Sequence, residues 1–83
     1  MTEFAHMVAL VTAETEGLLR GKGVDVPPIG EDSQFLDGDL PMDSLDLATL
    51  LVMLEERTGR DPFREGFRSF TTVGELARLY VTG

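Results

Sequence analysis

One serine stands where its hydroxyl could take part in chemistry rather than fill a core. Ser44 follows Asp43 and precedes Leu45 and Asp46, at the predicted start of a helix. A hydroxyl at a loop–helix junction is open to another enzyme, and a phosphoryl group attached to it would lie near unpaired backbone N–H groups and the positive end of the helix dipole. The two aspartates would repel that phosphate, and serine is a frequent helix-start residue. The local pattern therefore leaves a structural role and an attachment site both open.

Metal and thiol chemistry are disfavoured by the residue types. The chain contains no cysteine, which excludes disulfides and thiolate sites, so any thiol must arrive on a cofactor. The spacing of Asp37, Asp39 and Asp43 resembles the start of an EF-hand calcium loop. Met42 takes the position of the required glycine, however, and Ala48 takes that of the final glutamate. We therefore expect no metal site.

Catalysis by the chain itself is also disfavoured. A hydrolytic site would need His6 to meet Ser44 and a carboxylate, and a lone histidine on an amphipathic helix is more often a surface residue. A chain of 83 residues is too small to enclose a deep active site with its own walls. We expect no catalytic residue and a protein that is not an enzyme.

Three segments have the apolar periodicity of amphipathic helices. They cover about residues 2–19, 44–58 and 72–81. Thr2 and Asp43 are suitable N-caps for the first two, and Asp46 makes an imperfect capping box with Asp43. The third begins with Thr72 and Glu75 in the spacing of a capping box. No segment alternates long enough to predict a strand.

The connections between these helices differ in length. Residues 21–42 form a long loop, and such a loop must pack apolar residues of its own to be stable. The candidates for this packing are Val24, Val26, Ile29, Phe35 and Leu36. Pro62 and Gly66 interrupt residues 60–68, which leaves room for a short helix of one or two turns. The predicted fold is all-α: three main helices, a short third helix, and a long loop between helices 1 and 2.

Composition restricts the partners and the location. The net charge of −8 argues against nucleic acid and anionic membrane and favours partners with basic patches. Residues 31–56 contain eight acidic residues and no lysine or arginine, whereas residues 57–68 contain four arginines. The longest apolar stretch, residues 50–54, is too short to span a membrane, and the first residues lack the pattern of a secretory signal. We expect one domain over residues 1–83, monomeric and cytoplasmic.

The second predicted helix has two unlike faces. At about 100° per residue, one face is apolar and should meet the core: it carries Leu47, Leu50, Leu51 and Leu54. The opposite face mixes apolar and acidic side chains: it carries Leu45, Thr49, Val52 and Glu56, with Asp46 and Met53 beside them. Exposed apolar groups bordered by charge are typical of a protein contact site, although single exposed apolar residues are also common.

At this point the sequence resembles the acyl carrier protein family. Residues 35–46, FLDGDLPMDSLD, are similar to its modification motif, in which Asp-Ser-Leu follows a hydrophobic anchor and an Asp-Leu pair. Residues 54–56, LEE, match the end of the family's second helix, and residues 70–73, FTTV, match the approach to its last helix. Asp-Ser-Leu is weak by itself, but the resemblance covers nearly the whole chain.

The resemblance implies a chemistry of attachment. A phosphopantetheinyl transferase, with Mg²⁺, would move a 4'-phosphopantetheine arm from coenzyme A onto Ser44, and the arm's thiol would carry an acyl group as a thioester. The family's partner-recognition surface matches the outer face of the second helix, at Leu45, Asp46, Thr49, Val52, Glu55 and Glu56. The implied partners are the transferase, an acyltransferase or adenylating loading enzyme, and synthase or tailoring enzymes. Leu47, Leu51 and Leu54 would line a shelter for the acyl chain.

Several positions depart from the family pattern. Pro41 stands where glycine is usual, Thr49 where the residue is often acidic, and Arg60, Arg64 and Arg68 make the third segment basic. These departures favour a carrier of specialised metabolism, serving a polyketide or mixed polyketide–peptide pathway, and the chain ends favour a discrete protein. Two alternatives stay open: an aminoacyl or peptidyl carrier, and an unmodified helical adaptor that binds a partner through the second helix.

Overall fold

Three α-helices form the framework of the protein. The computed structural model describes residues 2–82 and contains α1 (Glu3–Gly21), α2 (Ser44–Thr58) and α3 (Val73–Thr82). α1 begins where the Thr2 hydroxyl accepts a hydrogen bond from the backbone N–H of Ala5, at 3.0 Å. The three main helices of the predicted all-α bundle are confirmed, and α1 extends two residues beyond its predicted end.

Local capping sets the ends of the other two helices. The Asp43 carboxylate accepts the N–H of Asp46, and the Asp46 carboxylate accepts the N–H of Asp43, so the capping box of α2 is complete. α2 ends at Gly59, whose φ of 69° is readily adopted only by glycine. At α3, the Thr72 hydroxyl accepts the N–H of Glu75, and the Glu75 carboxylate accepts the N–H of Thr72. The predicted capping boxes are therefore confirmed.

The core lies between the helices and the long loop. α1 packs against both α2 and α3. The buried apolar side chains are Met7, Val11 and Leu19 of α1, Leu50 and Leu54 of α2, Val73, Leu76, Ala77 and Tyr80 of α3, and Phe35 and Leu40 of the loop. Among the residues described, 2–82, no helix is long and apolar enough to cross a membrane.

The loop between α1 and α2 is fixed to the start of α3. Gln34 and Thr72 form an isolated bridge, and the N–H of Gly74 donates to the carbonyl of Glu31 at 2.8 Å. Ile29 packs partly against the core, as expected for a loop anchor, and Phe35 is buried. The prediction for Leu36 is wrong: its side chain is 47% exposed, because the adjacent Phe35 takes the inward position. The second deep anchor is Leu40.

Residues 60–68 form turns where the sequence predicts a short helix. The N–H of Arg64 donates to the carbonyl of Asp61, and that of Gly66 donates to the carbonyl of Phe63. Each bond spans three residues, and the turns cover residues 62–65. Gly66, with a φ of 146°, then directs the chain away from helical geometry. The predicted short helix is thus reduced to turns.

Candidate functional site

Ser44 is the first residue of α2 and its side chain is exposed. Within residues 2–82 no hydrogen bond engages its hydroxyl, because Asp43 rather than Ser44 caps the helix. The capping box uses the N–H groups of Asp43 and Asp46. In the part of the chain that the structure describes, it leaves the N–H groups of Ser44 and Leu45, in the same first turn, without an acceptor. A phosphate on the Ser44 oxygen would therefore lie beside free N–H donors at the positive end of the helix dipole. The site fits a covalently attached phosphate group.

The segment before Ser44 is held at four successive residues. Leu40 is buried in the core, and Met42 packs partly against it. Between them the carbonyl of Pro41 accepts a hydrogen bond from Lys22 Nζ, at 3.2 Å. The capping box then holds Asp43. The chain thus reaches Ser44 along a fixed path, although proline replaces the glycine of the family pattern.

Lys22 also forms an ion pair with Asp46, the second residue after Ser44. Lys22 Nζ lies 2.5 Å from Asp46 Oδ2, the same oxygen that accepts the N–H of Asp43. The hydrogen bond from Lys22, followed by that from the Asp43 backbone, lowers the pKa of Asp46 below its usual value. The Asp46 carboxylate therefore stays ionised and internally bound near neutral pH.

The outer face of α2 is open along its length. Leu45 and Val52 are 76% and 55% exposed, and Thr49, Glu55 and Glu56 are also exposed. Asp46, the sixth residue predicted for this face, is half-buried and bound to Lys22. The face that the structure presents is therefore an apolar strip with its free carboxylates at the far end from Ser44.

The inner face of α2 is packed. Leu50 and Leu54 are fully buried, as the sequence predicts, while Leu47 and Leu51 are half-buried against the core. Met53 is half-buried on the border between the faces. An acyl chain sheltered beside Leu47, Leu51 and Leu54 would have to displace part of this packing.

The arginine segment, residues 59–68, forms the other conspicuous surface. Phe67 is 75% exposed and stacks on Phe63, with ring centroids 5.7 Å apart. Among residues 2–82, Arg64 and Arg68 are the basic side chains without an ion pair or ring contact, whereas Arg60 Nη1 bonds Glu3 and the carbonyl of Tyr80. A shallow groove here, of about 940 Å³, is also lined by three carboxylates, those of Glu55, Asp61 and Glu65. The surface is therefore mixed in charge rather than basic.

The alternative sites predicted as weak are not assembled by the structure. Within residues 2–82 no three His, Asp or Glu side chains converge as metal ligands. The Asp39 carboxylate accepts the N–H of Gln34, and the Asp43 carboxylate caps α2. In the same described range, no side-chain hydrogen bond joins His6 to Ser44.

A helical bundle that presents one unpaired hydroxyl at a capped helix start is suited to carrying an attached group. The chain matches the family described as "Phosphopantetheine attachment site" over residues 19–80, which is more than half of its length. It is also similar to the solution structure of MacpD, an acyl carrier protein from Pseudomonas fluorescens involved in mupirocin biosynthesis. The two are 36% identical with a TM-score of 0.83, over 94% of this chain and 70% of that one.

The protein therefore belongs to the acyl carrier protein family, and its cofactor is a covalently bound 4'-phosphopantetheine. The family and the cofactor inferred from the sequence are confirmed. Sequence reasoning missed three features of the site: Lys22, the Leu40 anchor, and the stacking of Phe63 on Phe67. The spacing of the two phenylalanines by four residues is a signal that could have indicated the last of these.

Proposed function

We propose that this protein holds acyl intermediates as thioesters on a 4'-phosphopantetheine arm attached to Ser44 and delivers them to polyketide-type biosynthetic enzymes. The observation that carries the proposal is the exposed, unpaired Ser44 hydroxyl at the capped start of α2. Similarity to a carrier involved in mupirocin biosynthesis supports the pathway class. The role of residues 1–83 as one cytoplasmic carrier domain stays a prediction.

Attachment makes Ser44 an acceptor rather than a catalytic nucleophile. A phosphopantetheinyl transferase would form the bond between Ser44 Oγ and the phosphorus of the phosphopantetheinyl group while the pyrophosphate P–O bond of coenzyme A breaks. Adenosine 3',5'-bisphosphate would leave, and the serine proton would pass to a base of the transferase or to solvent. The bound arm supplies a terminal thiol, which this cysteine-free chain lacks, and that thiol carries the acyl group. The chain itself presents the oxygen and stabilises the nearby negative charge through the first turn of α2.

Delivery requires contacts that form and dissociate quickly. The outer face of α2 offers a small apolar strip at Leu45 and Val52, with Glu55 and Glu56 available to basic partners. A small interface with a charged rim gives weak, fast-exchanging complexes. The tethered arm then gives each bound enzyme a high effective concentration of cargo. Loading enzymes, synthases and tailoring enzymes would all use this face.

The proposal is tested by incubating the purified protein with a broad-specificity phosphopantetheinyl transferase, Mg²⁺ and coenzyme A. Intact-mass measurement should show one phosphopantetheinyl gain in the wild type. Ser44→Ala should show none, whereas Ser69→Ala, which removes another exposed serine, should be modified like the wild type. No gain on the wild type, alongside a carrier that the transferase does modify, would contradict the proposal and favour an unmodified adaptor.

A further inference from the structure

The only lysine of the chain joins three elements at the proposed attachment site. Lys22 is the C-cap residue of α1, with its own N–H bonded to the carbonyls of Leu18 and Leu19. Its side chain reaches the carbonyl of Pro41, three residues before Ser44, and the carboxylate of Asp46, two residues after it. One amino group therefore connects the end of α1 to both sides of the serine.

A second ion pair joins the same two helices, but only the Lys22 pair lies beside Ser44. Arg57 Nε lies 2.7 Å from Glu14 Oε1, which joins α2 to α1 near the far end of α2. That pair also links the two helices, but it contacts nothing near Ser44. If the only role of Lys22 were to hold α1 against α2, Arg57 would serve the same purpose.

Two physical effects follow from the position of the Lys22 amino group. Pro41 has a fixed φ and no N–H of its own, so a hydrogen bond to its carbonyl restricts the remaining freedom of the turn that leads to Ser44. The ammonium also offsets the charge of Asp46, which would otherwise repel an incoming phosphate together with Asp43. Both effects act on the place and the electrostatic surroundings of one oxygen, the Ser44 Oγ.

We propose that Lys22 is a positioning residue for phosphopantetheine attachment: it fixes residues 41–46 around Ser44 and offsets the charge of Asp46, two residues from the serine. This inference rests on the proposed function, since it assumes that Ser44 is the acceptor. Lys22 acts through Pro41 and Asp46 and does not itself take part in the transfer.

The test compares Lys22→Met, Lys22→Arg and Arg57→Met with the wild type. Thermal unfolding first identifies a temperature at which all four proteins are folded. Initial rates of modification by a broad-specificity transferase then give kcat and KM for each carrier. For Lys22→Met we expect kcat/KM to fall about tenfold, because the variant loses the charge-assisted contacts to both Pro41 and Asp46. The loss should lie mainly in kcat, because the exposed residues of the outer face of α2, from Leu45 to Glu56, are not substituted.

The two controls separate positioning from stability. Lys22→Arg keeps the charge and should stay within about twofold of the wild type. Arg57→Met should do so too, because the partly buried ion pair that it removes lies away from Ser44 and all proteins are compared while folded. Amide hydrogen exchange should become faster at residues 42–46 in Lys22→Met and not in Arg57→Met. Equal rates in Lys22→Met and Arg57→Met would overturn the inference while leaving Ser44 as the acceptor. Absence of modification in the wild type would instead contradict the proposed function itself.

Discussion

The two ends of α2 use their polar groups in opposite ways. At the Ser44 end, Lys22, Asp43 and Asp46 are all bonded to one another or to the backbone, and only the serine hydroxyl is left free. At the other end, the arginine segment leaves Phe67 and two arginines open to solvent in turns of few hydrogen bonds. The end that carries the proposed attachment oxygen is therefore held firmly, whereas the other end leaves side chains exposed to solvent.

The largest difference between the two ends should be in stability. Leu40→Ala removes a buried anchor of the segment before Ser44 and should lower the free energy of unfolding by about 2–4 kcal/mol. Phe67→Ala removes an exposed ring that stacks on Phe63 and should cost about 1 kcal/mol or less. Chemical denaturation followed by circular dichroism measures both. Equal losses would mean that the arginine segment contributes as much to the core as the serine segment does.

Two glycine substitutions test whether the end of α2 depends on a left-handed backbone conformation at Gly59. Gly59→Ala places a Cβ on a residue with a φ of 69° and should destabilise the protein by about 1 kcal/mol. Gly17→Ala lies inside α1 with nothing within 4 Å of the new Cβ, and should stabilise it by about 0.5–1 kcal/mol. The same denaturation measurement gives both values. A lower free energy of unfolding in Gly17→Ala would show that the low helix propensity of Gly17 does not limit the stability of α1.

The sequence could predict what depends on neighbouring residues. The bounds of α2 follow from Asp43 and Gly59, which act within one turn of the helix, and the residues that resemble the family's attachment motif are contiguous around Ser44. The exposed strip at Leu45 and Val52 follows from helical periodicity, which is also local. All of these features were therefore available before the structure.

Features that depend on distant residues could not be predicted in the same way. Lys22 and Asp46 are 24 residues apart, and no local rule pairs them. Of the adjacent Phe35 and Leu36, only one could turn inward, and the contact of Phe35 with Phe70 that decides between them is a tertiary one. The short third helix predicted in residues 60–68 is reduced to turns at residues 62–65, because Gly66 directs the chain away from helical geometry.

Changes of pH should act through Asp46 in α2 and Tyr80 in α3, at opposite ends of the pH scale. The folded-state pKa of Asp46 lies below its ordinary value of 3.8, so the stabilisation it provides is present above pH 3.8 and is lost as the pH falls through the folded pKa. Burial, with smaller contributions from Asp61 and Glu55, raises the pKa of Tyr80 from 10.0 to about 12. Stability linked to Tyr80 is therefore complete below pH 10 and is lost as the pH rises towards 12.

Spectroscopy can follow the alkaline titration of Tyr80 and the acid titration of Asp46 separately. Tyr80 is the only tyrosine, so tyrosinate absorbance reports its ionisation without interference from another residue of that type. We expect this absorbance to appear together with the loss of helical circular dichroism. On the acid side, carboxyl NMR should give a higher pKa for Asp46 in Lys22→Met than in the wild type. Ionisation of Tyr80 near pH 10 in the folded protein would contradict the raised pKa of Tyr80. An Asp46 pKa that is the same in Lys22→Met and in the wild type would contradict the effect of Lys22 on that carboxylate.

The smallest expected effect concerns the free charges, Glu55 and Glu56, at the end of the proposed partner-binding face of α2. The double variant Glu55→Lys, Glu56→Lys should raise the transferase KM for the carrier about fivefold at low salt, because it places positive charge where a basic partner should dock. The matched control, Asp25→Lys with Asp32→Lys, changes the net charge by the same amount on the exposed long loop. At the same low salt it should raise KM to a smaller extent, because the long Debye length lets any added charge act at a distance but these positions lie outside α2 and its proposed docking face. Adding salt should reduce the difference between the two variants. If both raised KM equally, net charge rather than the outer face of α2 would govern docking, and the far end of α2 would lose its proposed role.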